Sequence, residues 1–158
     1  MQFSKMQSLG NSYVLFNLLE DSMEHVNFSE LSKLVSNVKV GIGSDGILII
    51  GPSDRADFSI RIFNKDGIEA NHCLSGIRCA AAYLYDTMYA ESPNFTIETI
   101  DGDVSVKVEV GEKRKVNNVV VWDNLNRVWP KDEVRYVCYG ELEEMTLLKS
   151  QDILDQNE

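Results

Sequence analysis

Cys73 is the residue whose type and position most plainly offer chemistry. It lies in the stretch Asn64-Lys65-Asp66-Gly67-Ile68-Glu69-Ala70-Asn71-His72-Cys73-Leu74-Ser75-Gly76-Ile77-Arg78-Cys79, where an alanine-rich segment of helical periodicity begins. A helix start presents unpaired backbone N–H groups and a partial positive charge. Such a site attracts a carboxylate and favours thiolate over thiol near neutral pH. A thiolate so placed is a base or a nucleophile. The same position also suits a buried apolar cysteine, and residue types alone leave both readings open.

The remaining candidates are weaker. Cys79 is six residues further along the same helix, about 9 Å down the axis and some 240° round from Cys73, which assigns it to the core. Cys138, in Val137-Cys138-Tyr139-Gly140, is expected to be structural, and His72 is either a tuner of Cys73 or an incidental loop histidine. The three cysteines and a histidine lack the paired short spacing of zinc sites, so no metal is expected. Gly41-Ile42-Gly43-Ser44-Asp45-Gly46 has no lysine-serine ending and is not a phosphate loop. Lys113-Arg114-Lys115 reads as a solvated turn.

The elements that must position these groups follow from periodicity. Residues 1 to about 19 read as strand, turn, strand around Gly10-Asn11. A short helix capped at Ser29 or a neighbour carries Leu31, Leu34 and Val35, and Ile47 to Ile50 is a buried strand. Phe58 to Phe63 alternates with period two and is expected to form a hairpin with Ile68-Glu69-Ala70, placing Asn64 at a strand end. From Cys73 to Tyr89, Ile77, Ala80, Ala81, Leu84 and Met88 recur at helical spacing and mark the most buried helix. Phe95 to Thr99 and Val104 to Val110 form a second hairpin through Asp101-Gly102, and the regular part ends near Gly111. Residues 113–158 are expected to add a strand at Val119 to Trp122 and an acidic amphipathic helix with Leu142, Met145 and Leu148.

Composition bounds the partners. The 158 residues, 44% hydrophobic and 25% charged, suit one soluble domain that buries about two thirds of its unfolded surface. A net charge of -10 has the wrong sign for neutralising phosphates, so no nucleic-acid partner is expected. No stretch approaches the ~18 apolar residues of a membrane span. The first residues show no secretory signal, which makes the cytoplasm the expected compartment. An odd number of cysteines argues against a disulfide framework.

Four stretches occur in an order that resembles the diaminopimelate epimerase family: Gly10-Asn11-Ser12-Tyr13, Gly41 to Gly46, Arg61-Ile62-Phe63-Asn64-Lys65-Asp66-Gly67 and Cys73-Leu74-Ser75-Gly76-Ile77-Arg78-Cys79. The resemblance covers residues 1 to about 112, the family's N-terminal half. It implies that Cys73 is one of two acid/base cysteines, that Asn11 and Asn64 bind substrate, and that the amides of Leu74 and Ser75 hold the amino-acid carboxylate. Two departures stand out. Leu74-Ser75 replaces the family's usual Gly-Asn, and Ser12-Tyr13 replaces Asp-Phe. The second-half motifs Gly-Asn-Pro-His, Glu-Arg-Gly and Ala-Cys-Gly-Thr-Gly, the last carrying the opposing cysteine, are not found.

The implied fold is α+β, one lobe of a two-lobed epimerase: a bent, mostly antiparallel sheet wrapped around the helix that begins at Cys73. Residues 1–112 form that lobe, and 113–158 are a divergent segment of the same domain. The implied activity is a cofactor-independent epimerase or racemase for diaminopimelate or a related amino acid, a step of lysine and cell-wall precursor synthesis. Inverting an α-carbon needs a base on one face and an acid on the other, so a homodimer or a complementary lobe is expected to supply the second thiol. The alternative is a degenerate lobe that binds a ligand or partner without turnover.

Overall fold

The computed structural model describes residues 1–20, 25–71, 73–112, 116–125 and 127–143. The chain opens with strands β1 (Gln2–Ser8) and β2 (Asn11–Asn17), then helix α1 (Phe28–Ser36). Strands β3 (Gly46–Gly51) and β4 (Phe58–Asn64) precede helix α2 (Leu74–Asp86). Four strands follow: β5 (Asn94–Thr99), β6 (Gly102–Val110), β7 (Val116–Asp123) and β8 (Val128–Glu141). They close into a barrel in sequence order, with β8 returning to pair antiparallel with β1. The pairs β2–β3 and β4–β5 are parallel and the rest antiparallel. The α+β class thus takes the form of a closed barrel with two helices, and closure removes the exposed edges a bent open sheet would keep.

The parallel pair β2–β3 is covered on both faces, which explains the unbroken apolar run at Ile47 to Ile50. Leu15, Leu48 and Ile50 join the cluster containing Ala80, Ala81, Ala82 and Leu84 of α2. Val14, Phe16, Ile47 and Ile49 join Leu31 and Val35 of α1. Small alanines, all fully buried, let α2 approach the strands closely, and it packs against β7, β1 and β6 most extensively. Asp86 at the end of α2 accepts hydrogen bonds from the Val116 amide at 3.3 Å and the Tyr136 hydroxyl at 2.8 Å, tying β7 and β8 to the helix. No helix among the described residues is long and apolar enough to cross a membrane.

Several expectations need correction. The cap of α1 is Asn27, whose side chain takes the Glu30 amide, because its carbonyl oxygen lies one turn ahead of the helix. The hairpin after β4 reduces to a single bridge between Phe63 and Glu69, since β4 already pairs with β3 and β5. Met88 lies beyond α2, at φ 67 and 75% exposed, rather than on its buried face. Regular structure continues past Gly111 through both β7 and β8. The expected helix through Met145 and Leu148 lies outside the described residues.

Candidate active site

Cys73 is the N-cap of α2, and its side chain makes no capping hydrogen bond. Its Sγ therefore stays available. The Tyr13 hydroxyl lies 2.8 Å from Sγ and 3.3 Å from the Ser75 hydroxyl, and the Ser75 hydroxyl is 3.5 Å from Sγ. Asn11 Nδ2 donates to the Ser75 hydroxyl at 3.4 Å. The first intrahelical bond runs from the Ile77 amide to the Cys73 carbonyl, which leaves the amides of the preceding turn without helical acceptors. No acidic side chain occupies that turn, so its positive end is uncompensated. Gly76 keeps the turn close to β4: a Cβ there would meet Ile62 Cδ1 at 2.5 Å and Cys73 Sγ at 3.3 Å.

Two loops fix the asparagines. Leu9 and Gly10 both take positive φ, the pattern of a two-residue hairpin turn whose twist matches the strands, and this sets Asn11 at the start of β2. Asp45 then clamps that start, accepting from the Ser12 amide at 2.8 Å and exchanging backbone bonds of 2.9 Å with Ser12 and Lys65. The glycine-rich stretch thus joins the ends of β2 and β4. Asn64 is held from the α1 side: the buried Ser32 hydroxyl reaches the carbonyls of Phe63 at 3.0 Å and Asn64 at 2.7 Å, and Ser29 donates to Gly67 at 2.7 Å.

Asn11, Asn64, Cys73, Leu74 and Ser75 all line one cavity of about 1160 Å³. Its other wall is built from Thr99 and Asp101 at the β5–β6 turn, Arg127 just before β8 and Trp129 at the start of that strand. Charges on the walls are largely paired. Arg61 holds Glu69 through two 2.9 Å bonds, which keeps that carboxyl below the usual glutamate range. Arg127 holds Asp123 at 2.6 Å.

Tyr13 and this second wall were not anticipated from the sequence. Tyr13 was within reach of the pattern, because it lies two residues from Asn11 and so shares a face of β2. Its burial and its contact with Cys73 push the phenol well above its ordinary range. Arg127 immediately precedes β8, a strand that sequence periodicity does not reveal, and Trp129 lies near its start.

The other thiols stand apart. Cys79 is fully buried and pushed up to about 12 by desolvation, which suits the core role expected for it. Cys138 is exposed on β8 opposite Lys5, so the structural role expected for it is not one of packing. No metal-holding cluster of His, Cys, Asp or Glu occurs among the described residues. His72 and Lys113 to Lys115 lie outside them.

Residues 3–122 match the profile of the family described as diaminopimelate epimerase. The diaminopimelate epimerase of Bacillus licheniformis is 45% identical over 119 residues, covering 75% of this chain and 42% of the relative. The chain therefore spans about two fifths of the length of the curated relatives it matches. A phenazine biosynthesis protein of the PhzF family from Bacillus anthracis superposes with a TM-score of 0.59 at 17% identity, over 77% of this chain and 40% of that one. A hydroxyproline epimerase from Agrobacterium vitis superposes with a TM-score of 0.60 at 15% identity, over 77% and 41%. At such identities these two structures speak for the fold alone. The family match covers most of the barrel and every residue placed around Cys73, and on it the chain belongs to the diaminopimelate epimerase family.

Proposed function

We propose that this chain is a lobe of a cofactor-independent amino-acid epimerase or racemase, acting on diaminopimelate or a related amino acid, with Cys73 as one acid/base thiol. The observation that carries this reading is the convergence of Cys73, Asn11, Asn64 and the first turn of α2 on one cavity. In this reading the substrate carboxylate sits on the amides of Leu74 and Ser75, where charge that builds during α-proton removal meets fixed N–H donors. Asn11 and Asn64 orient the amino acid, and the Cys73 thiolate removes or returns the proton on one face. The sheet is read as wrapping α2, supported by contacts of that helix with β1 to β4 and β6 to β8.

Among the described residues Cys73 is the cavity's one thiol, so the opposing acid comes from elsewhere. A second copy of the chain, or a complementary lobe, places a cysteine on the far side of the substrate. A homodimer predicts a dimer mass by analytical ultracentrifugation at micromolar concentration; a monomer would leave only the complementary lobe. Deuterium incorporation at the α-carbon of diaminopimelate in heavy water tests the chemistry itself.

The same single thiol favours one second reading, a lobe that binds an amino acid or partner without turnover. Calorimetric binding of the amino acid with no solvent exchange, unchanged in Cys73→Ser, would select it.

A further inference from the structure

We propose that Tyr13 is a positioning residue for Cys73, its buried hydroxyl donating a hydrogen bond to Sγ and holding the thiolate toward the cavity. The proposal rests on the epimerase reading for its catalytic meaning. Tyr13 is 4% exposed and fixed in the barrel by pairing with Met6 on β1 and Gly46 on β3. A buried phenol needs a polar partner, and among the described residues the hydroxyl meets two, Cys73 Sγ at 2.8 Å and Ser75 Oγ at 3.3 Å. The shorter contact is the one to sulfur. Ser75, the other hydroxyl beside Sγ, stands off at 3.5 Å and also receives Asn11. Burial and the Cys73 contact hold the phenol well above its usual range, which suits a donor role for the hydroxyl.

Among the described residues, the groups facing this pair do not compete for the role. Cys79, from α2, is buried, and desolvation pushes its thiol up to about 12. On the cavity walls Glu69 is engaged by Arg61 and Asp123 by Arg127. Cys73 makes no cap bond of its own, so Tyr13 rather than the helix amides sets where Sγ points. An O–H···S⁻ bond is charge-assisted, and such bonds both orient and stabilise the ion they serve.

The test is alkylation of Cys73 by iodoacetamide, in which the thiolate sulfur displaces iodide, followed from about pH 5 to 10 by mass spectrometry of the Cys73 peptide. The full chain is used in a Cys138→Ser background, which removes the exposed competing thiol. Tyr13→Phe, which deletes only the hydroxyl, should move the alkylation curve about one pH unit higher. Ser75→Ala should move it by less than half as much. An unmoved curve in Tyr13→Phe overturns the proposal. So does a displacement in Ser75→Ala of about one unit, which would make Ser75 the donor; this arm decides the matter even where Tyr13→Phe does not fold. Alkylation needs no substrate, so absence of α-carbon exchange by a confirmed dimer, or with the complementary lobe supplied, alongside a shifted curve refutes the epimerase reading and leaves the Tyr13 contact standing.

Discussion

Replacing Ser32 by alanine probes how the scaffold holds the site. The Ser32 side chain is fully buried on α1, and its one hydroxyl proton is shared between the carbonyls of Phe63 and Asn64. The Asn64 carbonyl keeps a second partner, the Gly67 amide at 2.8 Å, so removing the hydroxyl strips part of the hydration substitute from each acceptor rather than stranding either. A lost buried hydrogen bond costs about 1 to 2 kcal/mol. Alanine is the better helix former by about half a kcal/mol, which offsets part of that. The net loss is about 1 kcal/mol. With a urea m-value of about 2 kcal/mol/M, the midpoint of denaturation followed by circular dichroism should fall by about 0.5 M. A midpoint that is unchanged or higher would refute the view that α1 anchors the end of β4 through this hydroxyl.

Other outcomes follow from the same structure. Leu84→Ala, at a position with no exposure on α2, should cost about 3 kcal/mol and lower the melting temperature by about 6 to 12 °C, read by calorimetry; a loss below about 1 kcal/mol would mean that the end of α2 is not packed in the barrel. Because Arg61 lowers the Glu69 carboxyl, their pair adds stability above the ordinary glutamate value of 4.5 and loses it as the pH falls below that. The pair is largely solvated, so Glu69→Gln should lower stability at pH 7 by at most about 1 kcal/mol, with the difference from the unsubstituted chain shrinking in melting curves as the pH falls below the ordinary glutamate value. Thiol titration with a disulfide reagent at about pH 8 should label Cys73 and Cys138 in the folded chain and reach Cys79 only after unfolding, since its thiol is buried and pushed up to about 12. Labelling of Cys79 at the same rate as Cys138 would contradict that burial.

The parts of the fold that were legible in the sequence are those with one dominant local pattern. Ile77, Ala80, Ala81 and Leu84 recur at helical spacing because most of α2 is buried, and the β5–β6 hairpin is announced by Asp101-Gly102 between alternating segments. Barrel closure was not legible. It depends on β8, where Glu133 and Arg135 alternate with Val134 and Tyr136, and charged residues on the solvent side dilute the apolar signal of a strand. The extent of α2 was overread because Met88 continues its apolar period after the backbone has left the helix at Thr87.

The candidate site divides in the same way. Cys73 and its neighbours Leu74 and Ser75 are contiguous, so a single motif points to them. Asn11 and Asn64 are distant in sequence and reach the cavity through the clamp made by Asp45 and Ser32, contacts that no local pattern encodes. Tyr13 was readable as a strand residue but not as the partner of Cys73, because its meeting with α2 requires the register of β2 against both β1 and β3. Arg127 and Trp129 enter the cavity from a tertiary pairing between β7 and β8.

In the proposed function Cys73 moves a proton at the α-carbon of an amino acid bound at the start of α2. Its most direct test is nuclear magnetic resonance of diaminopimelate and a panel of other amino acids incubated with the chain in heavy water under reducing conditions, beside the Cys73→Ser variant. The expected result is loss of the α-proton signal of at least one amino acid with the unsubstituted chain and none with the variant. Exchange that persists in Cys73→Ser, or no exchange of any amino acid by the unsubstituted chain as a confirmed dimer or with its complementary lobe supplied, would contradict it.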